Sequence, residues 1–453
     1  MPELVWKGKQ ALRDSEAAHR CGARSLRTDE TYGGFDQDGG GGRLIRGAGV
    51  EVLSALRKEL RGRVSLVYID PPFDSGAVYD YLVSIAPVSG DRTEPARVRI
   101  PAFRDLLGLD GWLDMFFETA RLVRELLREG GSLYVHLDAH AVHYAKVVLD
   151  EVFGSKAFQR DIVWRIGWVS GFKSRAKNWI RNHDTILYYV KPGAAPVFNK
   201  EYVPYPSDYA RRRGAQSPGP GYPIEDVWNA NRADRLDSIQ IKSFSGEKVG
   251  YPTQKNESLV ARIVRTSSDP GDIVLDCFGG SGTTAVAAHR LGRRWILCDS
   301  SALAIHATRK RLLTESPAPP FSVESFSDAP PDHEPGSIVI RAKVDDAADR
   351  NRERRYSVDI VVEGFDVANS AAAAAARSRV SHFSQWIDGW CVDWDSRGEA
   401  LRAGTSIWRT RSGLLALRAS HEYACAGSVI VRVRIFDVCG GVTTRDVAID
   451  VRT

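Results

Sequence analysis

A chain of 453 residues is too long for one hydrophobic core, so two or three domains are expected. Its 43% hydrophobic and 26% charged residues are those of a globular protein; no run approaches the roughly 18 apolar residues of a membrane span and no signal-peptide core opens it, which predicts a cytoplasmic protein. A net charge of +5 is compatible with a nucleic-acid partner, and six cysteines without a Cys-x-x-Cys pair argue against zinc ribbons, redox motifs and a disulfide framework.

The first 42 residues end in Gly33-Gly34 and Gly39 to Gly42 and read as a flexible segment. Regular structure is expected from Arg43-Leu44-Ile45, a short strand, followed by helical spacing over Val50 to Leu60 and an apolar strand over Val64 to Ile69. Trp112 to Leu127 repeats apolar residues at helical spacing until Gly130-Gly131, and Ser132 to Leu137 reads as the next strand. Tyr144 to Phe153 is a further helix, ended by Gly154. This alternation predicts a doubly wound parallel sheet over residues 43–162, resumed over 251–315. Between them, residues 163–250 are rich in proline, glycine and aromatics, and carry an excess of Lys and Arg larger than the net charge of the chain. Prolines at 317, 319, 320, 330 and 331 mark residues 316–336 as a linker. Residues 337–453 alternate with period two, as in Tyr356 to Val362, Val429 to Ile435 and Asp446 to Val451, and predict a β-sandwich-like domain. The alanines Ala371 to Ala376 fit either a helix or a loop.

Two constellations carry chemistry. The apolar strand ending at Ile69 runs into Asp70-Pro71-Pro72-Phe73, and the two prolines force the chain out of the sheet as a rigid loop. A carboxylate, a free carbonyl and a flat ring then stand at the carboxyl end of a strand, where open α/β sheets bind ligands. By itself the stretch fits equally a plain rigid turn or a pocket for a planar base bearing an amino group.

The second constellation is a strand closing in Asp276, the turn Cys277-Phe278-Gly279-Gly280-Ser281-Gly282-Thr283-Thr284, a helix, and a strand closing in Asp299. Glycines admit close backbone approach, the helix N-terminus offers free N–H groups, and an acid after the second strand suits ribose hydroxyls. No Gly-Lys-Ser/Thr follows, which disfavours a nucleotide P-loop. Asp276 would repel a pyrophosphate but attract an ammonium, a pattern suited to a nucleoside with an amino-acid head such as S-adenosylmethionine.

Together with Tyr251-Pro252-Thr253-Gln254-Lys255, Val135-His136-Leu137-Asp138 and Arg181-Asn182-His183-Asp184, these motifs resemble the amino-methylating DNA methyltransferases. Their order resembles the β class, which includes the modification subunits of type III restriction systems. The resemblance implies a Rossmann-like, doubly wound methyltransferase fold with an inserted target-recognition region and a C-terminal all-β domain. It implies S-adenosylmethionine as cofactor and no metal, with His136, His140, His143 and His183 read as structural. Asp70 and the Pro71 carbonyl would accept the hydrogens of the target amine, with Pro72 rigidifying the loop and Phe73 stacking on a flipped base. Phe278, Gly279, Gly280, Gly282 and Thr283 would wrap the methionine and ribose. Asp276 would meet the amino group, Asp299 the ribose hydroxyls, and Thr253 and Lys255 the methionine carboxylate. Arg165, Lys173, Arg175, Lys177, Arg211, Arg212 and Arg213 would meet phosphates of double-stranded DNA.

The chain departs from the family pattern at three points: Ala48 follows Gly47 where an acid facing the adenine is common, Asn256 follows Lys255 in place of proline, and Gly279 replaces a common cysteine. Asp70 in place of serine points to adenine in a restriction or phage-defence setting, with a defence partner subunit or a homodimer as candidate assemblies. Cytosine amino-methylation and a non-catalytic DNA-binding or assembly subunit are the competing readings. Ring-carbon cytosine methylation is excluded by the lack of a Pro-Cys pair.

Overall fold

The computed structural model describes residues 3–14, 24–33, 41–73, 78–88, 95–104, 107–165, 177–205, 219–228, 247–329, 336–348, 354–368, 370–398, 400–410 and 412–451. An eleven-stranded sheet organises it. Six parallel strands form its middle, in the spatial order Leu127–Leu137, Val64–Ile69, Ile273–Asp276, Arg294–Asp299, Gly42–Arg46 and Phe321–Phe326. Antiparallel His183–Val190 extends one side and antiparallel Leu26–Tyr32 the other.

Every residue of Val64–Ile69 is buried, because helices cover both faces of the sheet. Val67 and Ile69 face a core shared with helices Gly49–Leu60, Gly108–Leu126 and Val142–Phe153. Leu66 and Tyr68 face the opposite core, shared with Glu257–Ser267, Thr283–Arg290 and Ala302–Leu313. The doubly wound, Rossmann-like arrangement anticipated from the alternation is therefore present. Its topological switch lies between Val64–Ile69 and Ile273–Asp276, neighbours in space but far apart in sequence.

Three expectations need correction. Leu26–Tyr32 is a paired strand of the main sheet, so the flexible reading fails for that part of the N-terminal segment; Tyr32 is buried and stacks on Phe321 at 4.8 Å. The expected linker contains Phe321–Phe326, a strand parallel to Gly42–Arg46, with Phe321, Val323 and Phe326 buried. Gly130 and Gly131 do not end a helix: the preceding helix ends at Leu126, and both glycines lie within Leu127–Leu137 beside an irregularity in its pairing with Val64–Ile69. The alanine run forms the helix Ala371–Arg377, with the Ser370 hydroxyl accepting from the Ala373 N–H at 3.0 Å.

The C-terminal region forms two antiparallel sheets over one core that includes Val358, Ile360, Trp390 and Val433. Trp386, Trp390 and Trp394 are buried there, as expected of core residues. The region is joined to the eleven-stranded sheet rather than tethered to it. Leu401–Ala403 pairs with Leu26–Tyr32, and the buried Arg309–Glu30 pair (2.8 Å) is extended by Arg434 at 3.2 Å.

Candidate active site

The Asp70 loop leaves the sheet at the switch point and is held from the side. Trp112, fully buried on Gly108–Leu126 and stacked on Phe116 at 4.8 Å, donates its indole N–H to the Pro72 carbonyl at 2.5 Å. With two proline φ angles fixed, this bond ties the loop to the helix beside it. Asp70 is largely buried. Its Oδ2 accepts from the Lys255 ammonium, whereas Oδ1 is buried with no partner among the described residues. The same ammonium lies 5.3 Å from the centre of the Phe73 ring.

The glycine turn is built around two carboxylates. Asp276 Oδ1 accepts from the Phe278 N–H at 2.9 Å and Oδ2 from the Thr284 hydroxyl at 2.6 Å. Burial pushes its pKa up to about 7, helped by the like charges of Asp70 and Asp299 and opposed by these two donors. Asp299 Oδ2 accepts from the Gly280 N–H at 2.9 Å and Oδ1 from the Ser301 N–H at 2.8 Å, while burial raises its pKa. Gly280, at φ 48°, sits in the left-handed region, and a methyl group on Gly279 would lie 2.3 Å from the Leu297 side chain.

The third wall comes from the chain leading into Glu257–Ser267. Thr253 holds φ 58°, a β-branched residue in the left-handed region. Gln254 braces this turn, accepting from the Val249 N–H and donating to the Glu247 carbonyl. The Lys255 carbonyl accepts from Thr283 Oγ1 at 3.2 Å, and Asn256 caps the following helix through the Ser258 N–H at 2.9 Å. Asn256 in place of proline therefore supplies a cap.

These walls enclose a cavity of about 650 Å³. Asp70, Pro71, Pro72, Phe73, Thr253, Lys255, Asp276, Phe278, Gly279, Gly280, Thr283 and Asp299 all line it. Gly282 does not; it precedes the helix Thr283–Arg290 at φ 78°, where a methyl group would press on Thr308. Three carboxylates and one cation, Lys255, are the charged residues among the described lining. Ala48, Val50, Leu107 and Met115 supply an apolar side. A nucleoside with an amino-acid head fits this donor set. The turn has no side chain to obstruct it, each acid keeps acceptor capacity beyond its internal bonds, and Lys255 can answer a carboxylate.

Sequence reasoning missed Trp112, which reads as one more apolar position on a helix, and Tyr251, which is buried beside Gly280 although it stands in a quoted motif. Beneath the loop, the Tyr68 hydroxyl meets His136 Nδ1 at 3.0 Å and His136 Nε2 meets Asp184 at 3.4 Å. Arg181 bridges Asp184 and Asp138, both at 2.9 Å. Of the expected DNA-facing cations, Arg165 and Lys177 are exposed. Lys173, Arg175, Arg211, Arg212 and Arg213 lie outside the described residues. Trp179, which no pattern singled out, is 96% exposed two residues from Arg181.

A family model described as DNA methylase, covering N6 and N4 methyltransferases, matches residues 64–310. The chain belongs to this DNA methylase family. The type II methyltransferase M.EcaI of Enterobacter cloacae is 27% identical over 316 residues, covering 55% of this chain and 64% of the relative. The DNA adenine methyltransferase YhdJ of Escherichia coli (strain K12) is 26% identical over 264 residues, covering 54% and 75%. The type II methyltransferase M.BamHI of Bacillus amyloliquefaciens is 25% identical over 269 residues, covering 56% and 53%. The chain thus spans between about half and three quarters of the lengths of these relatives. Among solved structures, the M1.HpyAVI–SAM complex is 19% identical with a TM-score of 0.37, covering 60% of this chain and 98% of that one. The PvuII DNA methyltransferase (cytosine-N4-specific) is 19% identical with a TM-score of 0.40, covering 64% and 91%. Among the described residues, no helix is long and apolar enough to cross a membrane.

Proposed function

We propose that the chain transfers the methyl group of S-adenosylmethionine to the exocyclic amine of adenine in double-stranded DNA. The observation that carries this reading is the joining of the Asp70 loop and the Asp276–Asp299 glycine turn in one cavity. When bound, the cofactor supplies an activated methyl; everything else asked of the protein is binding and orientation. Gly279 and Gly280 let the backbone approach it, Asp276 faces its ammonium and Asp299 its ribose hydroxyls. The target base is extruded from the duplex and lies against Phe73. Asp70 Oδ1, buried and without a partner among the described residues, is the acceptor for one amine hydrogen. The Pro71 carbonyl accepts the other, which draws the nitrogen lone pair out of conjugation with the ring. Trp112, through the Pro72 carbonyl, ties the loop that carries these acceptors to the helix beside it.

Asp70 in place of serine supports adenine over cytosine, and so does the likeness to YhdJ, a DNA adenine methyltransferase. Arg165, Lys177 and the exposed ring of Trp179 form the DNA-facing side. Service in a restriction-modification or phage-defence system belongs to the same proposal, as the type II names of M.EcaI and M.BamHI suggest. So do a defence partner subunit and a homodimer. The test incubates the protein with S-adenosylmethionine and mixed-sequence DNA, then digests the DNA for nucleoside mass spectrometry. 6-Methyladenine is expected from the wild type and none from Asp70→Ala. Failure to bind cofactor would favour the non-catalytic DNA-binding reading.

A further inference from the structure

Lys255 has two claimants. In the structure it is bound to Asp70, the acceptor proposed for the target amine. It is also the one cation among the described residues lining a cavity that holds three carboxylates. Any ligand carboxylate entering that cavity meets a field dominated by Asp70, Asp276 and Asp299, and among the described lining residues Lys255 alone carries a charge that offsets it. The backbone of Lys255 is anchored by Thr283 Oγ1 and by the Asn256 cap, so its position is fixed while a four-carbon stem leaves the ammonium room to swing.

From this we infer that Lys255 is a positioning residue that couples the two halves of the site, neutralising Asp70 through Oδ2 until the carboxylate of the cofactor's amino-acid head draws the ammonium away and leaves Asp70 its full negative charge for holding the target amine through Oδ1. The inference rests on the proposed methyltransferase reading. It makes Asp70 a competitor of the cofactor for one cation, with three consequences. Removing the Asp70 charge strengthens binding of a ligand that has the amino-acid head. Removing the Lys255 charge weakens it. The benefit of the first change disappears when Lys255 is gone.

The experiment measures calorimetric affinities of wild type, Asp70→Asn, Lys255→Met and the double variant for two probes, with thermal melting as the control for folding. S-adenosylhomocysteine carries the amino-acid head; 5′-methylthioadenosine lacks it. For S-adenosylhomocysteine, Asp70→Asn is expected to bind about fivefold tighter and Lys255→Met about tenfold weaker, with the double variant no tighter than Lys255→Met. Affinities for 5′-methylthioadenosine are expected to stay within about twofold throughout. Lys255→Arg retains the cation and is expected to keep most of the discrimination between the probes. The inference is overturned if Asp70→Asn fails to tighten S-adenosylhomocysteine binding, if the two effects simply add, or if Lys255→Met weakens both probes alike. Binding of neither probe by a folded wild type would instead overturn the methyltransferase reading itself.

Discussion

Lys255 and Asp70, 185 residues apart in sequence, form an ion pair at the point where the Asp70 loop faces the chain leading into Glu257–Ser267. The pair joins two chain segments that meet only because Val64–Ile69 and Ile273–Asp276 are neighbours in the sheet. It leaves Asp70 with one oxygen engaged and the other buried without a partner among the described residues.

Trp112→Phe keeps a ring on Phe116 but removes the donor to the Pro72 carbonyl. A loop free to shift by a fraction of an ångström misplaces the acceptors of the amine, so the turnover rate is expected to fall about 10- to 100-fold. S-adenosylhomocysteine affinity should hold within about twofold. Steady-state methylation and calorimetry on the same preparation check both; an equal loss in the two would show that Trp112 supports the whole cavity rather than the loop.

Gly279→Ala places a methyl group 2.3 Å from Leu297, deep in the sheet. Backbone and leucine cannot both stay in place, and a destabilisation of about 1–3 kcal/mol is expected. Denaturant titration should show it, together with loss of S-adenosylhomocysteine binding.

The pH behaviour follows from Asp276. Its pKa, pushed up to about 7, lies above that of an unfolded aspartate, so the folded state holds its proton more tightly and ionisation costs stability. The contribution of Asp276 to stability is therefore complete at pH below about 4 and is lost as pH rises through about 7. Comparing the melting temperatures of wild type and Asp276→Asn between pH 5 and 8 isolates it, the difference shifting against the wild type as pH rises. Binding of a cationic head favours the carboxylate, so S-adenosylhomocysteine is expected to bind more tightly at pH 8 than at pH 6 and to release a proton below pH 7.

Trp179→Ala removes an exposed ring from the proposed DNA-facing side. Base stacking on an aromatic side chain contributes roughly 1–3 kcal/mol. DNA affinity measured by fluorescence anisotropy at fixed salt should fall about tenfold or more, with cofactor affinity unchanged. No change in DNA affinity would remove Trp179 from the interface.

The parts of the site legible in the sequence are those written locally. Asp70-Pro71-Pro72 ends a strand within four residues, and Asp276 to Thr284 encloses its own turn through Asp276, Phe278 and Thr284. What escaped depends on tertiary partners. Trp112 acts through one indole N–H that helical periodicity cannot show. The Lys255–Asp70 pair joins two motifs far apart in the chain, and only the strand order at the switch point brings them together. Leu26–Tyr32 reads as part of a flexible segment and Phe321–Phe326 as part of a linker because glycines and prolines flank them. They are strands because each completes the other's hydrogen bonding, with Thr31 beside Ser322 and Tyr32 beside Phe321.

The most direct measurement is nucleoside mass spectrometry of DNA after incubation with the protein and isotope-labelled S-adenosylmethionine. Label is expected in 6-methyladenine, abolished by Asp70→Ala with folding intact. Label in 4-methylcytosine, or equal labelling by the Asp70→Ala protein, would contradict the proposed function.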